Sequence, residues 1–255
     1  MEPKEYVKSL VRESLFLEGV MDAETTNLSR KIVSLVTPIL LGVGARKTKT
    51  VPTKRWELSE SITGRPVLLV VHLLPTKGLT TLTASGEYLV ARYKPGASTE
   101  GLPELPSDRL EISVRCPLNR IDFRPELLEP FVLELKSVLR HELEHLKQKA
   151  RGYKTTLGIE TDPWSQEVDT SKVFTDPEVA LKYYTSPEEV EAYVMQVYRT
   201  AKMKKIPFSE ALKDYIAGHL GRAMVQRMGV GPGIKVLNAI KKAWVAYART
   251  RLPGV

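Results

Sequence analysis

The stretch FVLELKSVLRHELEHLKQKA, residues 131–150, decides the fold of this chain. Its apolar residues recur at spacings of three and four positions, which is the pattern of an amphipathic helix. The apolar positions are Phe131, Val132, Leu135, Val138, Leu139, Leu143 and Leu146. We therefore predict a helix over 125–150 that packs its apolar face against the rest of the fold.

Near the middle of this helix lies the pentapeptide HELEH, which begins at His141 and ends at His145. Residues four apart lie on one face of a helix about one turn apart, so both imidazoles can reach the same ion. The helical wheel places both histidines on the flank of the apolar stripe and Glu142 nearer its middle. Two solvated surface histidines are the alternative. However, these two are half of the four histidines in the chain and are correctly spaced around a glutamate.

This spacing predicts a zinc-dependent hydrolase site. Zinc in such a site is held by three protein side chains and keeps one coordination position open for water. Glu142 follows the first histidine and can point at that position, where a carboxylate can take a proton from water. We expect Zn²⁺ as the cofactor, His141 and His145 as two of its ligands, and Glu142 as the general base.

A third ligand is offered by SPEEVEAY, residues 186–193, at the start of another predicted helix. Ser186 is a natural N-cap for that helix. Glu188 points away from the apolar face, whereas Glu189 and Glu191 lie on its two flanks, so either of them could face a neighbouring helix. Glu189 also has a second interpretation, because with Ser186 it completes a capping box.

A His-Glu-x-x-His helix followed tens of residues later by a helical Glu-x-x-Ala resembles the zincin metallopeptidases, in the branch whose third ligand is a glutamate. The resemblance covers about residues 109–200. It implies that the ligand is Glu189, three positions before Ala192. It also implies a zincin-like α+β fold, with a small mixed or antiparallel sheet packed on the histidine helix and a mainly helical C-terminal part. Both this motif pair and the N-terminal segment 6–15 are similar to phage proteins, the motif pair to phage-encoded metallopeptidases.

The chain departs from these families at two places. Ala192 is followed by Tyr193, where several of the families have Asp or Asn. Gln148 and Arg151 stand where the metzincins have a glycine and a third histidine.

Three strands are predicted upstream of the histidine helix. Residues 67–74 are an unbroken apolar run that suggests a central strand, and residues 87–93 form another strand between turn signals. Residues 109–115 alternate strictly between apolar and polar side chains, as a half-buried strand does. In zincins an edge strand pairs with an extended peptide substrate. We expect residues 109–115 to take that part. His72, within the apolar run, is expected to be a core histidine.

The remaining pattern is mainly helical. Helices are predicted near 4–18, 25–41, 125–150, 177–184, 187–204, 208–228 and 233–250. Residues 151–176 are expected to form a long loop over or beside the cleft. We divide the chain into an N-terminal helical segment (1–50), a zincin-like core (51–204) and a basic helical region (205–255).

Cysteine usage and the N-terminus indicate the compartment. Cys116 is the only cysteine, so neither an internal disulfide nor a four-cysteine zinc site can form. The N-terminus is charged, and no apolar run is long enough to span a membrane. We expect a cytoplasmic or virion-associated protein without a membrane partner.

Positive charge is concentrated at the C-terminal end. Residues 199–255 hold 12 Lys and Arg against Glu210 and Asp214, a net charge of +10 in a chain whose net charge is +8. Such a region suggests attraction to nucleic acid or to an acidic protein surface. Basic residues on the solvated faces of ordinary helices explain the same charge equally well.

Two functions from different classes are consistent with the sequence. The first is a zinc metalloendopeptidase acting on a protein or peptide substrate, with other particle or phage proteins as partners. The second is a structural or interaction protein of a viral particle on a zincin scaffold, with structural zinc or lost activity. The intact Glu142 favours the first, because a structural site has no need of a general base. The residues that could assist the oxyanion are Tyr183, Tyr184, Tyr193 and His219.

Overall fold

The structure is a computed structural model that describes residues 3–41, 49–90, 108–120, 125–152 and 169–252. Within these ranges the chain forms an α+β fold with a four-stranded sheet and a mainly helical C-terminal part. Its elements are α1 (Pro3–Leu40), β1 (Lys54–Ile62), β2 (Arg65–Thr76), β3 (Thr83–Val90), β4 (Asp108–Pro117), α2 (Leu128–Ala150), α3 (Pro177–Tyr184), α4 (Pro187–Lys204), α5 (Phe208–Tyr215), α6 (Gly221–Met228) and α7 (Val230–Arg251).

The chain divides into two compact units, Met1–Leu143 and Glu144–Val255. The first contains α1, the sheet and most of α2. The second contains the end of α2 and the helices α3 to α7. The proposed division into 1–50, 51–204 and 205–255 stays a prediction.

The sheet is mixed, with the strand order β1-β2-β4-β3. β1 and β2 form an antiparallel hairpin whose two turn residues, Thr63 and Gly64, both have positive φ (53° and 77°). This is the left-handed conformation that matches a two-residue turn to the twist of its strands. β2 and β4 run parallel, whereas β3 and β4 are antiparallel. The predicted strand at 67–74 is confirmed as part of β2.

The prediction that residues 109–115 form the substrate-pairing edge strand is wrong. These residues belong to β4, which lies between β2 and β3, so both of its edges are already hydrogen-bonded. Alternation of apolar and polar residues shows that a strand is buried on one face, but it does not show which strands lie beside it. The edge strands of this sheet are β1 and β3.

Two further strands differ from the predictions. The strand predicted at 87–93 begins earlier, as β3 at Thr83, and residues 91–93 lie outside the described part of the chain. The strand β1, with the sequence KRWELSESI, was not predicted. Most of its residues are polar and exposed, as is common for an edge strand, so the apolar run that marks β2 is missing.

One face of the sheet forms the core of the first unit. On β2 and β4 the residues Leu69, Val71, Leu73, Leu110, Ile112 and Val114 are at most 1% exposed. Their register pairs them directly, for example Val71 with Ile112. The helix α2 contributes Phe131, Leu135 and Leu139 to the buried set, as its apolar stripe predicted.

The helical predictions are largely confirmed, with three differences. The two helices predicted at 4–18 and 25–41 are one continuous helix, α1. The helix predicted at 208–228 contains a π-helical segment, Ile216–Leu220, between α5 and α6. The loop predicted at 151–176 lies mostly outside the described residues, and its last part includes a short 3-10 helix, Thr170–Lys172.

Buried aromatic packing organises the second unit. Trp244 of α7 is fully buried, and its indole Nε1–H donates a hydrogen bond to the Tyr184 carbonyl (2.9 Å) at the end of α3. The ring of Tyr193, on α4, stacks on that indole at 4.9 Å between ring centres. Trp244 therefore ties three helices together. No helix among the described residues has the length and apolar character needed to cross a membrane.

Candidate metal centre

The helix α2 carries both predicted histidine ligands on one face. His141 and Glu142 are buried, whereas the His145 side chain is 18% exposed. Because α2 is a single helix, His141 and His145 lie one turn apart with their rings on the same side. The helix thus provides two neighbouring imidazoles that differ in their contact with solvent.

Glu189 lies in the first turn of α4, which begins with Pro187 after the N-cap residue Ser186. The capping-box interpretation of Glu189 is not borne out. Ser186 makes no side-chain capping hydrogen bond, and its hydroxyl donates instead to the Tyr183 carbonyl (2.9 Å). The Ser186 backbone N–H donates to the same carbonyl (3.2 Å).

The structure brings the three predicted ligands together. One nitrogen of His141, one nitrogen of His145 and one carboxylate oxygen of Glu189 all lie within 4.8 Å of one another. The distance from His145 Nε2 to Glu189 Oε1 is 3.6 Å. This is longer than a hydrogen bond.

The donor types of these three side chains suit a zinc ion, and so does the one ligand–ligand distance between His145 and Glu189. Two imidazole nitrogens and one carboxylate oxygen are a donor set that zinc accepts in hydrolytic sites. With metal–ligand distances of about 2.0–2.2 Å and tetrahedral angles, neighbouring ligand atoms lie roughly 3.3–3.6 Å apart. The 3.6 Å between His145 and Glu189 agrees with that spacing. Metal binding itself stays a prediction.

Glu191, the alternative third ligand, faces a different set of partners. Its carboxylate accepts hydrogen bonds from the Gln148 amide (3.1 Å) and from the Arg151 guanidinium (3.1 Å). Arg151 also lies 3.5 Å from Glu144, which pairs with Lys147 at 3.2 Å. Glu191 is therefore part of a charge network that joins α4 to the C-terminal end of α2 and to Arg151 just beyond it.

The candidate general base, Glu142, packs against the edge strand β3. A Cβ atom added to Gly86 would lie 2.7 Å from Glu142 Cγ and 2.8 Å from Val138 Cγ1. Any side chain at position 86 would therefore collide with the histidine helix. The predicted strand at 87–93 left Gly86 in the turn before it, whereas Gly86 lies inside β3. A glycine inside a strand often marks such a close approach of another element.

A cluster of four tyrosines includes three of the residues expected to assist the oxyanion, and three of its members pack on Trp244. The cluster consists of Tyr183, Tyr184, Tyr193 and Tyr215. Burial raises the pKa of the Tyr193 hydroxyl well above its usual value, and nearby tyrosines and Glu189 raise it further. Burial also raises the pKa of Tyr184. Both hydroxyls are therefore protonated and able to donate hydrogen bonds. The fourth candidate, His219, has a side chain outside the described part of the structure.

The predicted basic region presents its cations to solvent. The exposed ones between residues 199 and 252 are Lys202, Lys204, Lys205, Lys213, Arg222, Arg227, Lys235, Lys241, Lys242 and Arg249. This exposure fits either interpretation of the charge, so an association with nucleic acid stays a prediction.

Comparison of the chain with protein families, with characterised proteins and with solved structures finds no match. The resemblance to zincins therefore rests on the residues of the motif and stays a prediction.

Proposed function

We propose that this protein is a zinc metallopeptidase with a zincin-like fold, in which His141, His145 and Glu189 hold the metal. The observation that carries the proposal is the convergence of these three donor atoms within 4.8 Å. The HELEH motif predicts two of them, and α4 supplies the third from a distant part of the sequence. A chance cluster of side chains would have no reason to include a glutamate directly after the first histidine, at the position of a general base.

Glu142 is the residue that moves protons in this proposal. When bound, zinc supplies a Lewis acid that polarises the scissile carbonyl and makes water easier to deprotonate. The Glu142 carboxylate takes one proton from the attacking water, whose oxygen forms a bond to the carbonyl carbon. The carbon–nitrogen bond then breaks as Glu142 returns that proton to the leaving amine. The carboxylate ends the cycle in its starting state.

The edge strand β3 replaces β4 as the segment that pairs with an extended substrate. The Ala84 backbone N–H donates to Glu134 of α2 (3.1 Å), so it points away from β4. Backbone groups of alternate residues in an antiparallel strand point the same way. The N–H and C=O of Gly86 therefore also point away from β4, while Glu142 packs against the face of β3 at this residue. A peptide added to this edge would pass close to the general base.

The proposal is tested by comparing the full chain with Glu142→Gln. This substitution keeps the size and helix propensity of the side chain but removes the base. We expect one zinc per chain in both proteins and a loss of hydrolysis of about 10²–10⁴-fold in the variant. The assay is incubation with an unfolded protein, followed by mass spectrometry of the fragments.

Glu129→Gln is the matched control, since Glu129 is an exposed glutamate on the first turn of the same helix. It should cleave at the wild-type rate. Equal cleavage by wild type and Glu142→Gln would overturn the proposed mechanism. Bound zinc without cleavage of any substrate would favour the structural role instead.

A further inference from the structure

A chain of hydrogen bonds connects His145 to the charge network on α2 and α4. The Nδ1 atom of His145 lies 3.1 Å from Gln148 Oε1. The Gln148 amide nitrogen donates to the Glu188 carbonyl (2.9 Å) and to the Glu191 carboxylate (3.1 Å). All of these residues lie within the second compact unit.

The partners of Gln148 fix the orientation of its amide. A backbone carbonyl can only accept hydrogen bonds, and the Glu191 carboxylate, which is paired with Arg151, also accepts. The group that faces both of them must therefore be the NH₂ of Gln148, and both of its hydrogens are used. The amide oxygen is left facing His145, and an oxygen in that place can only accept. Nδ1 of His145 must then carry a hydrogen.

This hydrogen determines what the other ring nitrogen can do. In a neutral imidazole with hydrogen on Nδ1, Nε2 carries a lone pair. That nitrogen is the one that lies 3.6 Å from the Glu189 oxygen. Two acceptor atoms that face each other repel unless a cation lies between them, so the tautomer prepares Nε2 to bind a metal.

We infer that Gln148 is a positioning residue, which holds His145 in the tautomer and ring orientation needed for a metal ligand. Its effect on the metal rests on the proposed function, whereas its effect on the tautomer does not. Glu191 in turn fixes Gln148, and Arg151 fixes Glu191. The network contains two carboxylates and two cations, so its net charge is zero: Glu144, Glu191, Lys147 and Arg151. The negative charge of the buried Glu191 carboxylate is therefore balanced by nearby cations.

The first test is the tautomer of His145 in the metal-free full-length protein. Nitrogen-15 NMR at about pH 8.5, where an ordinary imidazole is neutral, distinguishes the two ring nitrogens. We expect hydrogen on Nδ1 and a deprotonated Nε2 in the wild type. Hydrogen on Nε2, or an interconverting mixture of tautomers, would overturn the inference without any variant being made.

The second test compares Gln148→Met with Gln196→Met. Methionine has a similar length and helix propensity, but its thioether accepts only weakly from Nδ1 and cannot donate to Glu191. Gln196 is also a buried glutamine of the second unit, so its substitution reports the general effect of losing a buried amide. We expect Gln148→Met to mix the tautomers and to weaken zinc affinity by about 10–100-fold, as losing a residue that orients a histidine ligand does. Gln196→Met should change neither quantity.

The outcomes separate this inference from the proposed function. If the wild type binds no zinc, the proposed metal centre is wrong. The NMR measurement of the His145 tautomer then still tests whether Gln148 positions the ring. If the wild type binds zinc and Gln148→Met binds it with unchanged affinity, Gln148 does not act on the metal site and the inference is overturned.

Discussion

Gly86 of β3 lies against Glu142 of α2 so closely that a Cβ atom at Gly86 would be 2.7 Å from Glu142 Cγ. Real Cβ atoms essentially never lie that close to another heavy atom, and Val138 Cγ1 would be only 2.8 Å away. The position of the candidate general base is therefore set by the edge strand as well as by its own helix.

The first prediction follows from this contact. Gly86→Ala should displace Glu142 and Val138, and it should lower the free energy of unfolding by about 1–3 kcal/mol, as overpacking does. It should also reduce any peptide hydrolysis while leaving one zinc per chain. Gly231→Ala is the control, because Gly231 is an exposed helical residue with open space around it. A Gly86→Ala protein with wild-type stability would show that β3 and α2 are not this close.

The second prediction separates the two candidate third ligands. Glu189→Gln should abolish stoichiometric zinc binding, because a neutral amide is a poor ligand for the ion. Glu191→Gln should retain one zinc per chain and instead lower the free energy of unfolding by about 1–3 kcal/mol, since Arg151 loses a charged partner. Elemental analysis and chemical denaturation of both variants provide the comparison. Reversed effects would mean that α4 is rotated relative to this structure.

The two glutamates illustrate what the sequence could and could not predict. Apolar periodicity placed α2 and α4 correctly, because helices of this length follow a strong pattern. It left Glu189 and Glu191 equivalent, since both flank the apolar face of α4. The resemblance to zincins favours Glu189, but the physical difference lies in their partner residues, which are about 40 positions away in sequence. The prediction that β4 is an edge strand was wrong for a similar reason. The local pattern of a strand does not show which other strands pair with it.

The third prediction concerns the buried thiol of Cys116. Burial raises the pKa of this thiol from the ordinary value of 9.0 to about 11. Because the folded state holds the proton more tightly, the thiol contributes stability below pH 9 that is lost as the pH rises to about 11. The difference in free energy of unfolding between wild type and Cys116→Ala should therefore narrow over that range. A constant difference would mean that the thiol titrates normally in the folded protein.

The fourth prediction concerns the two histidines together. The double substitution of His141→Ala and His145→Ala should remove zinc from the purified protein, because Glu189 alone holds the ion poorly. As a control, His72→Ala should retain it, since His72 lies on β2 beside Glu111. Thermal unfolding with and without a chelator adds a second readout, because zinc that binds only the folded state raises the unfolding temperature. One zinc per chain in the double variant would exclude this site.

The most direct measurement is an anomalous-difference map at the zinc absorption edge, from crystals of protein purified without added metal. We predict one peak per chain, with a nitrogen of His141, a nitrogen of His145 and an oxygen of Glu189 each about 2.0–2.2 Å from its centre. For His145 that nitrogen should be Nε2, the atom that faces Glu189. A zinc peak held by other residues would contradict the account, and so would no peak at these three side chains in a protein that cleaves peptides.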